Sequence, residues 1–77
     1  MSKVADHLSP QSCRAARMLL RLSQAELANL AEISVSTLRR FESGDGKASD
    51  YAARQILAAL EREGILFVGA LRQPQLK

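Results

Sequence analysis

The chain has 77 residues, of which 47% are hydrophobic and 25% charged, and it carries a formal net charge of +3. This composition is ordinary for one small globular domain, and the few aromatic residues leave the core to leucine, isoleucine, valine and alanine, which favours helices. One cysteine, Cys13, excludes an internal disulfide, and with His7 as the one histidine no metal-ligand set can be assembled. We therefore expect a cytoplasmic protein without a cofactor, whose positive charge suits a polyanionic partner without requiring one.

The first predicted element is a helix that begins after a polar N-terminal tail. Residues 1–8 are polar and aperiodic, which predicts a flexible segment. Ser9 followed by Pro10 is typical of an N-cap and the first position of a helix. Apolar residues then recur at helical spacing and predict the buried face of this helix: Ala15, Met18, Leu19 and Leu22.

Two short helices follow, separated by a very short connection. Ser23 with Glu26 three residues later is a capping-box pattern, so the second helix should run from Gln24 to about residue 31. Ser34 should cap a third helix that continues to about Ser43, with Leu38 and Phe41 pointing inward. Only residues 31–33 lie between them, which predicts a helix-turn-helix corner.

The C-terminal third predicts one more helix and a strand. Ser49 or Asp50 should cap a fourth helix, which Gly64 should end in the left-handed conformation. Residues 65–68 are β-branched and aromatic and are typical of a strand. We expect one domain over 9–71, with its C-terminal strand within 65–71 and a flexible tail over 72–77.

Much of the chain, residues 14–68, resembles the Cro/repressor-type helix-turn-helix regulators, often called the Xre family. The resembling residues are ARMLL at 16–20, LSQAELA at 22–28, IS at 33–34, TL at 37–38, RFE at 40–42, Gly44, ALE at 59–61 and GI at 64–65. The resemblance implies a mainly α, repressor-like domain of four to five helices with a short C-terminal strand. One position departs from the family pattern, since Glu32 stands where glycine is usual at the corner.

The resemblance also implies a set of DNA-contacting residues. Gln24 would meet a phosphate at the start of the second helix, where free amides and the helix dipole favour an anion. Val35, Ser36 and Arg40 would face the floor of the major groove, with Arg40 as the main base reader. The remaining contacts would be to backbone or base edges from Ser34 and Thr37, and to phosphates from Arg39 and Lys47. The roles of Arg39 and Arg40 could be exchanged.

Two further residues have a structural role by the same resemblance. Arg17 and Glu42 would form an ion pair between the first and third helices and would orient the recognition helix without touching DNA. Cys13 is expected to be a packed thiol.

A single copy with about three base readers would have limited specificity, which favours a homodimer on two half-sites. The predicted dimerisation element is the strand of Ile65, Leu66, Phe67 and Val68, because a lone strand has unpaired edge groups. The alternative is that this strand folds back onto its own core.

The function predicted from the sequence is sequence-specific binding of double-stranded DNA as a small transcriptional regulator. A homodimeric repressor on a palindromic operator is the simplest form. An antitoxin-like or other module that binds a partner protein is the alternative. We do not expect an enzyme, because the sequence offers no catalytic constellation and no phosphate-cradling glycine loop.

Overall fold

A computed structural model describes residues 8–45 and 49–77, which form four helices followed by a two-stranded antiparallel sheet. The elements are α1 (Pro10–Leu19), α2 (Gln24–Ala31), α3 (Val35–Glu42), α4 (Asp50–Arg62), β1 (Ile65–Val68) and β2 (Gln73–Leu76). The expected mainly α architecture with a C-terminal strand is confirmed. None of the helices within these two ranges is long and apolar enough to cross a membrane.

Every helix begins after a serine that caps it. The hydroxyl oxygens of the four N-cap serines each accept a hydrogen bond from the backbone amide three residues later. Such caps satisfy amides that have no partner within the helix. In α2 the reciprocal bond is also present, since the Ser23 amide donates to Glu26 Oε1 at 2.8 Å. The predicted helix starts are therefore confirmed.

The core lies where the four helices meet the first strand. Its largest fully buried apolar side chains are Leu8, Leu27, Leu38, Ile56, Leu60 and Ile65. The sequence predicts a flexible tail up to and including Leu8, but the Leu8 side chain is 2% exposed. Burying such a side chain stabilises the fold by about 2 kcal/mol, so Leu8 belongs to the packed domain, while residues 1–7 of the expected tail lie outside the described residues.

The predicted buried face of the first helix is wrong at three of its four residues, while Leu22, which lies beyond the end of α1, packs against the core. Ala15, Met18 and Leu19 are exposed, whereas Ser12, Cys13 and Ala16 are buried. Small side chains on the inner face let α1 approach the other helices closely. The same orientation brings the cationic side chain of Arg17 towards α3, which apolar periodicity does not predict.

The C-terminal residues expected to form a flexible tail instead contain β2. This strand pairs antiparallel with β1, with Ile65 opposite Leu76 and Val68 opposite Gln73. A turn over residues 69–72 joins them, closed by a hydrogen bond from the Arg72 amide to the Gly69 carbonyl at 3.1 Å. The segment QPQL has little strand propensity. Its strand conformation depends on β1 and on α1, against which β2 also packs.

The C-terminal end of α2 is held by side chains from α4. Gln55 Nε2 donates to the Ala31 carbonyl and Arg62 Nη2 to the Leu30 carbonyl, both at 3.0 Å. The last carbonyls of a helix have no partner within it, so these donors satisfy them. The junction between α2 and α3 is thereby fixed to the rest of the domain.

Candidate nucleic-acid interface

The corner between α2 and α3 is a tight turn with a left-handed residue at its centre. Glu32 has φ 59° and ψ 41°, a conformation that glycine adopts without the steric cost of a Cβ atom. The Ile33 amide donates to the Ala28 carbonyl at 3.0 Å and closes the turn. Ser34 then caps α3, accepting from the Thr37 amide at 3.1 Å. The chain thus makes the corner with a glutamate in place of glycine.

The α3 helix has a buried face and an exposed polar face. Leu38, Phe41 and Glu42 are buried, which fixes the angle of the helix against the core. Ser36, Arg39 and Arg40 are exposed. This places two arginines and a serine on a rigid helix surface that is open to solvent.

Val35 does not lie on that open face as expected. Its side chain is half-buried and packs against the core cluster. At the first position of α3 it is one helical turn before Leu38, so it shares the inner side of the helix. Only part of Val35 is open to an approaching ligand.

The hydroxyls of Ser34 and Thr37 contact each other at 2.8 Å at the start of α3. Their first role is local, since Ser34 also caps the helix. Lys47, predicted as a phosphate contact, lies outside the described residues.

Arg17 and Glu42 are brought together by the fold. Arg17 Nε donates to Glu42 Oε2 at 2.9 Å, and Arg17 Nη2 donates to Oε1 at 3.0 Å. This is the bidentate geometry in which guanidinium and carboxylate interact most strongly. Arg17 Nη1 also donates to the Leu22 carbonyl at 3.1 Å, so the same side chain ties down the segment between α1 and α2.

Other donors complete the surroundings of Glu42, which is 3% exposed. The Cys13 thiol donates to Oε2 at 3.4 Å, and Gln24 Nε2 donates to Oε1 at 3.0 Å. Arg14 Nη1 donates to the backbone carbonyl of Glu42. Residues from α1 and α2 therefore converge on the last residue of α3.

These contacts set the protonation of the cluster. Burial alone would raise the pKa of Glu42, but hydrogen bonds from Arg17, Gln24 and Cys13 and the charge of Arg17 hold it below its ordinary value. The pKa of Cys13 is raised, first by burial and then by the neighbouring carboxylate. Glu42 is thus an anion and Cys13 a neutral thiol at neutral pH.

The Gln24 side chain connects this buried cluster to the exposed face of α3. While its amide nitrogen donates to Glu42, its carbonyl oxygen accepts from Arg39 Nε at 3.3 Å. Arg40 is not part of this chain of bonds. Its Nε lies 3.9 Å from Asp45 Oδ2, a long and exposed pair that contributes little stability.

Sequence reasoning missed the roles of Cys13, Arg14 and Gln24 in this cluster. The spacing of four between Cys13 and Arg17 places both on one face of α1, so that part of the pattern could have been found. No sequence pattern predicts the hydrogen bonds of Gln24, because they depend on how α2 and α3 cross.

The β1 strand, predicted as the dimerisation element, is paired with β2 along one edge. Ile65 is 1% exposed and packs in the core, so it cannot contact another copy from the surface. Leu66 is exposed, and Phe67 and Val68 are half-buried. Ile65 therefore agrees with the alternative prediction, in which the strand folds back onto its own core.

A comparison with protein-family models matches the helix-turn-helix family over residues 14–65. The match covers α2, α3 and the corner between them, together with all of α4. No curated protein matches the chain.

Proposed function

Because the chain belongs to the helix-turn-helix family of Cro/Xre-type DNA-binding regulators, we propose that it reads a specific double-stranded sequence and represses transcription by occluding a promoter. The observation that carries this proposal is α3 itself. The buried face of α3 fixes the helix against the core through Leu38, Phe41 and Glu42. Its exposed face carries Ser36, Arg39 and Arg40. A rigid helix with this surface suits the major groove of DNA.

In this proposal the contacts divide by position on α3. Ser36 and Arg40 face the bases, and Arg40 can pair bidentately with guanine O6 and N7. Arg39, at the edge of the face beside the start of α2, contacts backbone phosphate. The contacts assigned to Ser34, Val35, Thr37 and Lys47 stay predictions.

The test is selection of binding sites from a random duplex pool, with the wild type and Arg40→Ala compared side by side. Loss of preference at one position of the selected motif, with non-specific affinity retained, is expected if Arg40 reads a base. Arg54→Ala removes the same charge from an exposed position on α4 and controls for net charge. A motif that is unchanged in Arg40→Ala but bound more weakly at every site would contradict base reading by Arg40.

We further propose that the protein binds a palindromic operator as a homodimer. The support is that one α3 presents few base readers and that the β1–β2 hairpin keeps apolar side chains exposed, at Leu66, Leu71 and Leu76. Sedimentation equilibrium with and without the selected duplex tests this. A strict monomer at high micromolar concentration in both conditions would contradict it, and Leu66→Glu should weaken any dimer that forms through the hairpin.

A protein partner is the second candidate. Met18 on α1 and Leu71 in the hairpin turn are 68% and 80% exposed, so both apolar side chains are accessible to a partner. A partner that co-purifies at fixed stoichiometry and is lost with Met18→Glu would support this function.

A further inference from the structure

We propose that Gln24 is a positioning residue that holds Arg39 in its DNA-binding conformation. This inference rests on the proposed function and deepens it. The family resemblance implies a phosphate contact for Gln24, and within the described residues both ends of its side-chain amide make a hydrogen bond to the protein. Its nitrogen donates to Glu42 at 3.0 Å and its oxygen accepts from Arg39 Nε at 3.3 Å.

The two hydrogen bonds also fix how the amide is oriented. Glu42 is held as an anion and can only accept, so it faces the amide nitrogen. Arg39 can only donate, so it faces the amide oxygen. A glutamine satisfies both neighbours in this one orientation, and no other uncharged side chain of this length has a donor and an acceptor on the same group.

The buried end of this connection is rigid. Glu42 is held bidentately by Arg17, whose side chain is 15% exposed, and it also accepts from the buried Cys13 thiol. Gln24 is therefore attached to a fixed point, and it passes that constraint to an exposed arginine.

The exposed end leaves Arg39 free to bind a ligand. Within residues 8–45 and 49–77 the guanidinium bonds through Nε alone, so the terminal Nη1 and Nη2 groups are open to a phosphate. An unrestrained arginine loses side-chain entropy when it is immobilised. Holding Nε in advance reduces that cost when DNA binds.

The first test is a double-mutant cycle on affinity for a duplex, measured by fluorescence anisotropy. Arg39→Ala should weaken binding about tenfold or more and reduce the salt slope by about one phosphate. Gln24→Ala should weaken it about threefold to tenfold. In the Arg39→Ala background the Gln24 substitution should have almost no further effect, because nothing is left to position.

The matched control is the same cycle with Arg40, which has no bond to Gln24. The fold-losses in affinity caused by Gln24→Ala and Arg40→Ala should multiply, since the two effects are independent. If the fold-losses of Gln24→Ala and Arg39→Ala multiply as well, Gln24 contacts DNA directly and the proposal is overturned. An unaltered affinity in Gln24→Ala would overturn it equally.

A measurement without DNA separates this proposal from the proposed function. Gln24→Met keeps the side-chain length and removes both hydrogen bonds. Because it preserves packing, a change in the signal of this variant reports the lost hydrogen bonds and not unfolding. In ¹H–¹⁵N spectra the Arg39 Nε–H signal should exchange more slowly than that of Arg40, and the difference should vanish in Gln24→Met. A signal that does not respond overturns the positioning role whatever the DNA measurements give. A wild type that prefers no duplex counts against the proposed function, and the cycle is then run on a non-specific duplex.

Discussion

At the scale of single residues, the geometry of the recognition helix depends on one buried carboxylate. Glu42 belongs to α3, and its carboxylate accepts hydrogen bonds from Arg17 of α1 and Gln24 of α2. A buried ion pair gains little over apolar packing, but removing one partner leaves an uncompensated charge and costs about 3–5 kcal/mol. The pair therefore specifies how the three helices are arranged more than it adds stability.

The lowered pKa of Glu42 predicts that stability falls in acid. A carboxyl whose folded pKa lies below the unfolded value of about 4.3 contributes stability that is complete above that value. This contribution is lost as the pH falls through the folded pKa. Urea unfolding at several pH values should show the free energy of unfolding of the wild type decreasing below about pH 5. Glu42→Gln should be less stable at pH 7 and show a shallower decrease, and parallel curves for the two proteins would contradict the prediction.

The thiol of Cys13 should be unreactive in the folded protein. It is fully buried, and its raised pKa keeps it protonated, whereas the thiolate is the nucleophile. Alkylation by iodoacetamide at pH 8 should therefore follow global unfolding and accelerate as urea is added. The control is Cys13→Ser combined with Ala15→Cys, which places a thiol at an exposed position of the same helix. Equal rates for the two thiols in native conditions would show that Cys13 is accessible.

At the scale of elements, local signals predicted the helix starts, and tertiary contacts decided what the sequence could not show. Serine caps act within one turn, so their positions can be predicted without knowing the fold. The orientation of α1 could not, because the polar cluster at Glu42 turns Arg17 inward and leaves Met18 outside. Only the family resemblance predicted the pairing of Arg17 with Glu42. Neither the local sequence pattern nor the resemblance predicted the hydrogen bonds of Gln24.

The corner between α2 and α3 carries a cost that a substitution can relieve. Glu32 is left-handed, which costs about 1 kcal/mol relative to glycine. Glu32→Gly should raise the free energy of unfolding by up to about 1 kcal/mol, less the entropy that glycine adds to the unfolded chain. Urea denaturation measures the change, with Glu32→Ala as the control because alanine keeps the Cβ atom. A gain of the same size in Glu32→Ala would mean that the glutamate side chain, not the backbone, is unfavourable.

At the scale of the whole molecule, the hairpin completes a domain whose helices alone form a small core. A chain of this size buries a modest share of its surface and has little stability to spare. The hairpin adds Ile65 to the core and lays β2 against α1. The Lys77 amide also donates to the Gly64 carbonyl at 2.8 Å, which joins Lys77 to the turn that follows α4.

Ending the chain at Leu71 should therefore destabilise α1, although α1 lies far along the sequence from the truncation. The truncation removes β2 and its pairing with β1, and each backbone hydrogen bond lost contributes about 1 kcal/mol net. We expect the free energy of unfolding to fall by about 2–4 kcal/mol, since several such bonds disappear and α1 loses its contact with β2. The control is Gln75→Ala in the full chain, which removes an exposed side chain and leaves the strand in place. Hydrogen exchange locates the effect: amides of α1 should lose protection along with those of β1. If the truncated chain unfolds at the urea concentration of the full chain, β2 is a dispensable extension and the helices form the stable unit by themselves.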